Sequence, residues 1–203
     1  MTNGSIAFWG DRDKLSDTTE VRCKGNWLAS RPRFVRERLG ESGVTRVTER
    51  LAPEERALFL NPPLSFTWSP IRHLYAIDEI IFEEVMGGKV EGMVDFGEAI
   101  ASYDINILYR AFFRMGSPEF FLARSHLIFN QYMSAGNVRT TTRKGHAETR
   151  LSEVVIPRYL CRFGIAGYMR GAIKAAGGKA IEVVHSRCIH DGDDHCLYQS
   201  RWR

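Results

Sequence analysis

The chain has 203 residues, of which 44% are apolar and 26% charged, and a formal net charge of +4. Those values suit one globular domain able to build its own core. They exclude a membrane-spanning helix, since no window approaches about 18 uninterrupted apolar residues, and the scattered arginines, with no aromatics alternating among them, argue against nucleic acid as a partner.

Residues 1–22 are polar and rich in Gly and Asp around an isolated Phe8-Trp9 pair. They read as a loosely ordered arm pinned by those two rings, ahead of a single domain over 23–203. No basic region followed by an apolar run opens the chain, so a signal peptide is not expected and the cytoplasm is. There Cys23, Cys161, Cys188 and Cys196 would be thiols or metal ligands rather than disulfides.

Ser30 to Gly40 has a cap, an early Pro and a terminal Gly, and is predicted as a short helix. Residues 43–51 and 53–60 read as two more, the second opened by Pro53-Glu54-Glu55, whose acids suit a helix N-terminus. Asn61-Pro62-Pro63 breaks the chain. From Ser69 to Gly88, Ile71, Leu74, Ile77, Ile81 and Val85 recur at helical spacing, the mark of an amphipathic helix. A longer apolar helix is predicted from Val90 to Met115, and another from Ser117-Pro118-Glu119 to Gly136. Residues 137–142 and 146–156 form a hairpin turned at Arg143-Lys144-Gly145. A helix from Pro157 to Ala176 follows, then a strand over 179–188, a turn at His190–Asp194 and a closing strand. Two hairpins around one helix give an α+β fold, with helices packed on a four-stranded antiparallel sheet.

This C-terminal unit resembles the 4-vinyl reductase-type small-molecule-binding domain, which shares its fold with TRAPP vesicle-tethering subunits and haem nitric-oxide-binding domains. The matching features are Gly167 and Gly171 in GYMRG, Glu182 and Val184, then Cys188, Gly192 and Cys196, and the close from Tyr198 to Trp202. From about Cys23 onward the chain also resembles a myxobacterial paralogous family of unknown function, through GNWLASRPRFV, LAPEER, Trp68 and Arg-Met-Gly-Ser-Pro-Glu. The resemblance implies a bacterial signalling domain that binds a small apolar molecule or a partner protein, as a homodimer. A structural adaptor without ligand is the alternative, and a tetrapyrrole-related reductase the third. No nicotinamide or flavin fingerprint supports the enzyme.

Cys188-Ile-His-Asp-Gly-Asp-Asp-His-Cys196 is the stretch with most chemical potential. Thiolates and imidazoles are the ligands zinc prefers, and relatives place zinc on cysteines here, so Cys188 and Cys196 are the candidate metal ligands. Packed thiols beside a turn are the competing reading. Asp191, Asp193 and Asp194 lack the closing Glu of a calcium loop and read as turn acids. Cys161, on an apolar helix, reads as a core cysteine. The expected ligand-facing residues are Phe112, Phe120, His126, Phe163 and Tyr168. His126 is a conceivable haem contact, but the Tyr-x-Ser-x-Arg motif of the haem-binding relatives is absent. Gly164, Gly167 and Gly171 read first as a packing stripe.

Overall fold

The computed structural model describes Phe8, Trp9 and residues 21–108 and 116–203, the side chains of 105–108 excepted. Strand β1 (Arg22–Lys24) leads into helix α1 (Gly25–Arg50), followed by α2 (Pro53–Leu60), β2 (Trp68–Pro70), α3 (Ile71–Glu84) and α4 (Glu91–Leu108). Short helices α5 (Pro118–Leu122) and α6 (Ser125–Tyr132) precede the hairpin β3 (Asn137–Arg143) and β4 (His146–Ser152). A π-helical turn (Leu160–Gly164) runs straight into α7 (Ile165–Ala175), and β5 (Glu182–Arg187) and β6 (Cys196–Arg201) close the chain.

The architecture is α+β, with a four-stranded antiparallel sheet in the order β3-β4-β6-β5. The last strand is thus interior and joins the two hairpins, with Leu151 opposite Cys196 and Thr149 opposite Tyr198. Burial explains the order. Strand β6 buries Cys196, Leu197, Tyr198 and Ser200, while β5, at the edge, buries none of its residues. Edge strands tolerate such polarity, whereas interior ones need apolar faces.

Helices α4 and α7 meet backbone to backbone. A Cβ on Gly97 would stand 2.0 Å from the Gly164 carbonyl oxygen, and one on Gly167 2.1 Å from that of Val94. The small-residue stripe of the closing helix is therefore a packing seam, and no side chain fits in it.

Three local predictions are corrected. The helices expected over 30–40 and 43–51 form one element, kinked where Gly40 adopts φ 67°. Only a residue without Cβ enters that region cheaply, so the Gly bends the helix where the sequence reading ended it. The helix expected to reach Gly136 breaks at Ala123-Arg124 into α5 and α6. The small β1–β2 sheet was not predicted, because three residues are too short for alternation to register.

Phe8 is fully buried against Phe82, and Trp9 donates its indole N–H to Glu79 at 2.5 Å. The rest of the expected arm, residues 1–7 and 10–20, lies outside the described residues.

Candidate functional site

Two features adjoin where the π turn meets the sheet. The first is a cluster of ligating side chains. Cys161 lies on the π turn, His185 on β5, Cys188 just past it and Cys196 at the start of β6. One ligand atom from each falls within 4.8 Å of all the others. The Sγ of Cys161 stands 3.9 Å from that of Cys188 and 3.0 Å from that of Cys196. Tetrahedral zinc with Zn–S bonds near 2.3 Å separates its sulfurs by roughly 3.8 Å, so one pair is already at that spacing and the other needs to open by less than ~1 Å. All four cysteines are free and buried.

The electrostatics suit a cation. Contacts with the Cys161 and Cys196 sulfurs hold the Cys188 thiol below its usual range, while the Cys161 thiol, placed against both other sulfurs, is pushed above its own. Burial lowers the pKa of His185, which favours the neutral imidazole a metal needs. Its Nε2 is buried and finds no hydrogen-bond partner among the described residues. An orphaned buried nitrogen beside three thiols is what a metal would satisfy.

The sequence reading named Cys188 and Cys196 and looked for histidines between them. The structure sends both of those elsewhere: His190 Nε2 lies 2.8 Å from the Ile156 carbonyl oxygen, and His195 Nδ1 lies 2.5 Å from Asp194. The imidazole is instead His185, in a His-x-x-Cys spacing that straddles the irregularity between His185 and Arg187. Asp191 pairs with Arg158 and Arg162, and Asp193 accepts from the Cys188 amide at 2.9 Å, so these acids brace the turn.

The second feature is a partly open cavity of about 180 Å³ bordered by α1, α3, α4, α5, α6, α7, the π turn and the sheet, and almost wholly apolar. Phe96, Ile128, Leu151, Leu160, Met169 and Tyr198 border it. Arg31 reaches its wall with its charge paired to Asp78 and four of its five N–H donors engaged. Nε and Nη2 each donate to Asp78 at 2.8 Å, and Nη1 donates to the Trp27 carbonyl and Ser30 Oγ. Close by, Asp104 accepts from Asn26 and Tyr168, and burial pushes its pKa up to about 7.

Of the five residues expected to face a ligand, Tyr168 borders this cavity. Phe163 stacks on Tyr159 and faces a separate groove beside β5. Phe120 is 39% exposed under the Arg124 guanidinium, and His126 is exposed on α6. Phe112 lies outside the described residues. The cavity's main walls, Phe96, Ile128 and Leu151, carry no chemical signature that separates them from ordinary core, and only tertiary packing marks them.

No protein-family model matches the sequence, and no curated protein matches it. Solved structures do share the fold. An H-NOX protein from S. oneidensis in the Fe(II) ligation state aligns with a TM-score of 0.70 at 19% identity, over 89% of this chain and 96% of that one. An unliganded Fe(II) H-NOX protein from K. algicida aligns with a TM-score of 0.63 at 11% identity, over 89% and 96%. An oxygen-binding H-NOX domain related to soluble guanylate cyclases gives 0.56 at 13%, over 89% and 95%. The chain therefore has an H-NOX-like fold.

Haem, which that fold brings into question, does not fit the residues present. Haem iron is held mostly by a proximal His or Cys, less often by Tyr, and the Tyr75, Tyr168 and Tyr198 hydroxyls on this wall are donated elsewhere. None of the six histidines in the sequence borders the cavity, nor does any cysteine. The volume also falls below the roughly 300–1,000 Å³ of sites for ligands of cofactor size. Arg31, the nearest cation for a propionate, is already committed to Asp78.

Proposed function

We propose that this protein is a non-catalytic sensor domain whose cavity binds a small apolar molecule and passes that occupancy to a partner surface. The cavity carries the proposal: it is apolar, and lined by helices and sheet together. A ligand that binds one arrangement of those walls better than another shifts the population between them. The H-NOX-like fold supports the reading, since its solved members include proteins in Fe(II)NO and oxygen complexes. The 4-vinyl reductase-type resemblance supports it as well.

In the same proposal, Cys161, His185, Cys188 and Cys196 hold a structural zinc ion. Four protein ligands fill a tetrahedron and leave no open position, which separates a structural zinc from a catalytic one. The ion would tie the π turn, a wall of the cavity, to the closing strands. A cytoplasmic location and a homodimer complete the proposal.

Native mass spectrometry with elemental analysis, on protein purified without chelator, tests this reading. The expected result is one zinc per chain, a dimeric mass, and saturable uptake of a small aromatic hydrocarbon. Protein that takes up no apolar molecule overturns the sensor. The adaptor reading then gains, and one observation favours it: Leu64 and Phe66, 66% and 72% exposed between α2 and β2, offer an apolar surface.

A further inference from the structure

A cluster of three hydroxyls adjoins the apolar cavity. Ser125 on α6 and Thr149 on β4 both border it, and Thr140 on β3 joins them. The Oγ of Ser125 lies 2.8 Å from Thr140 Oγ1, which lies 3.0 Å from Thr149 Oγ1. Three hydroxyls carry three protons, and two mutual bonds use two of them. A head-to-tail chain leaves its spare proton on Thr149 or on Ser125, the two members at the cavity wall, and only bonds converging on Thr140 do not. Three tyrosine hydroxyls of the same lining are spent elsewhere: Tyr75 donates to the Val155 carbonyl, Tyr198 to that of Cys161, and Tyr168 to Asp104.

We infer that the cavity selects an uncharged molecule of single-ring size with one acceptor oxygen, such as an aryl ketone, held by the Ser125–Thr140–Thr149 hydroxyls. This rests on the cavity being a ligand site. Size supports it, since an apolar cavity of about 150 Å³ takes benzene and this one measures about 180 Å³. Charge supports it too. A carboxylate would lose its hydration and meet no free cation, because Arg31 is engaged by Asp78, Trp27 and Ser30. An ammonium would meet only neutral hydroxyls on that wall. A ligand oxygen, by contrast, takes the spare proton without disturbing the chain.

Calorimetric titration with acetophenone, its hydrocarbon isostere α-methylstyrene, and benzoate tests the assignment. In the wild-type protein acetophenone is expected to bind about tenfold more tightly than α-methylstyrene, the worth of one good hydrogen bond. Benzoate should show no saturable binding. In the Ser125→Ala/Thr149→Val double variant, acetophenone should fall to the hydrocarbon's affinity while α-methylstyrene binds as before, which also shows that the variant is folded. Equal binding of the two in wild-type protein, a preserved tenfold gap in the variant, or saturable benzoate binding each overturns the inference. Should the variant not fold, the wild-type ranking decides alone. If neither neutral probe binds, the sensor reading fails and this inference with it.

Discussion

The ring of Tyr198 stacks on the imidazole of His185, centroids 4.5 Å apart and planes 13° from parallel. The same tyrosine borders the cavity and donates its hydroxyl to the Cys161 carbonyl at 2.7 Å. One fully buried side chain thus touches the ligand space and two of the four candidate metal ligands. Tyr198→Phe keeps the stacking and removes the hydrogen bond. It is expected to lower unfolding stability by about 1–3 kcal/mol, since a buried carbonyl loses its donor, and chemical denaturation measures this directly.

Cys196→Ser exchanges a sulfur of the proposed zinc site for a hydroxyl, a poor zinc ligand. Zinc content should fall from one per chain to well below it, with a loss of thermal stability, because the energy of a structural zinc is folding energy. Elemental analysis of the purified variant is the check. Wild-type zinc content in the variant would remove Cys196 from the ligand set.

Asp104 offers a pH test separate from the metal. Its folded pKa of about 7 lies above the ordinary carboxylate value of 3.8, with burial as the main cause. The folded state therefore holds this proton more tightly than the unfolded chain does. Its contribution to stability is greatest below about pH 4 and is lost as pH rises toward and through 7. Asp104→Asn should flatten that slope, gaining stability relative to wild type at pH 8 more than at pH 5, by an amount on the order of a few kcal/mol. Denaturation midpoints at the two pH values decide it.

Gly167→Ala places a methyl where the Val94 carbonyl oxygen would be 2.1 Å away. Helices α4 and α7 must separate to admit it. A loss of about 1–3 kcal/mol is the usual overpacking cost, and the larger value is expected because the obstacle is backbone. A stability change within ~0.5 kcal/mol of wild type would mean that the seam is looser than the structure shows.

Asp78→Ala leaves the Arg31 guanidinium buried and without its bidentate partner. A loss of about 3–5 kcal/mol is expected from an uncompensated buried charge. Arg31 borders the cavity, so ligand affinity measured on the folded fraction should fall as well.

Much of the fold was legible in the sequence because its signals were local. Pro157 early and Gly177 late bracketed the closing helix, and Arg143-Lys144-Gly145 marked the first hairpin, where Gly145 adopts φ 69°. The π turn was not legible, since Leu160–Gly164 looks like ordinary helix and shifts its hydrogen bonding only in the context of the sheet. The metal cluster was half legible. Cys188 and Cys196 share one ribbon, but Cys161 precedes Cys196 by many residues and reads as core, and His185 lies outside the pair that framed the search. The cavity was barely legible, since a space is defined by what its walls fail to touch.

The seam between α4 and α7 has a mechanical corollary. Where main chains lie in contact, there is no side-chain layer to re-sort, so those two helices travel as one plate. Any give around an occupied cavity must then come from the opposite jaw, where α6 and the sheet meet through the movable side chains of Ile128, Phe129 and Leu151. That jaw is where strain from a guest would first reach the outer surface.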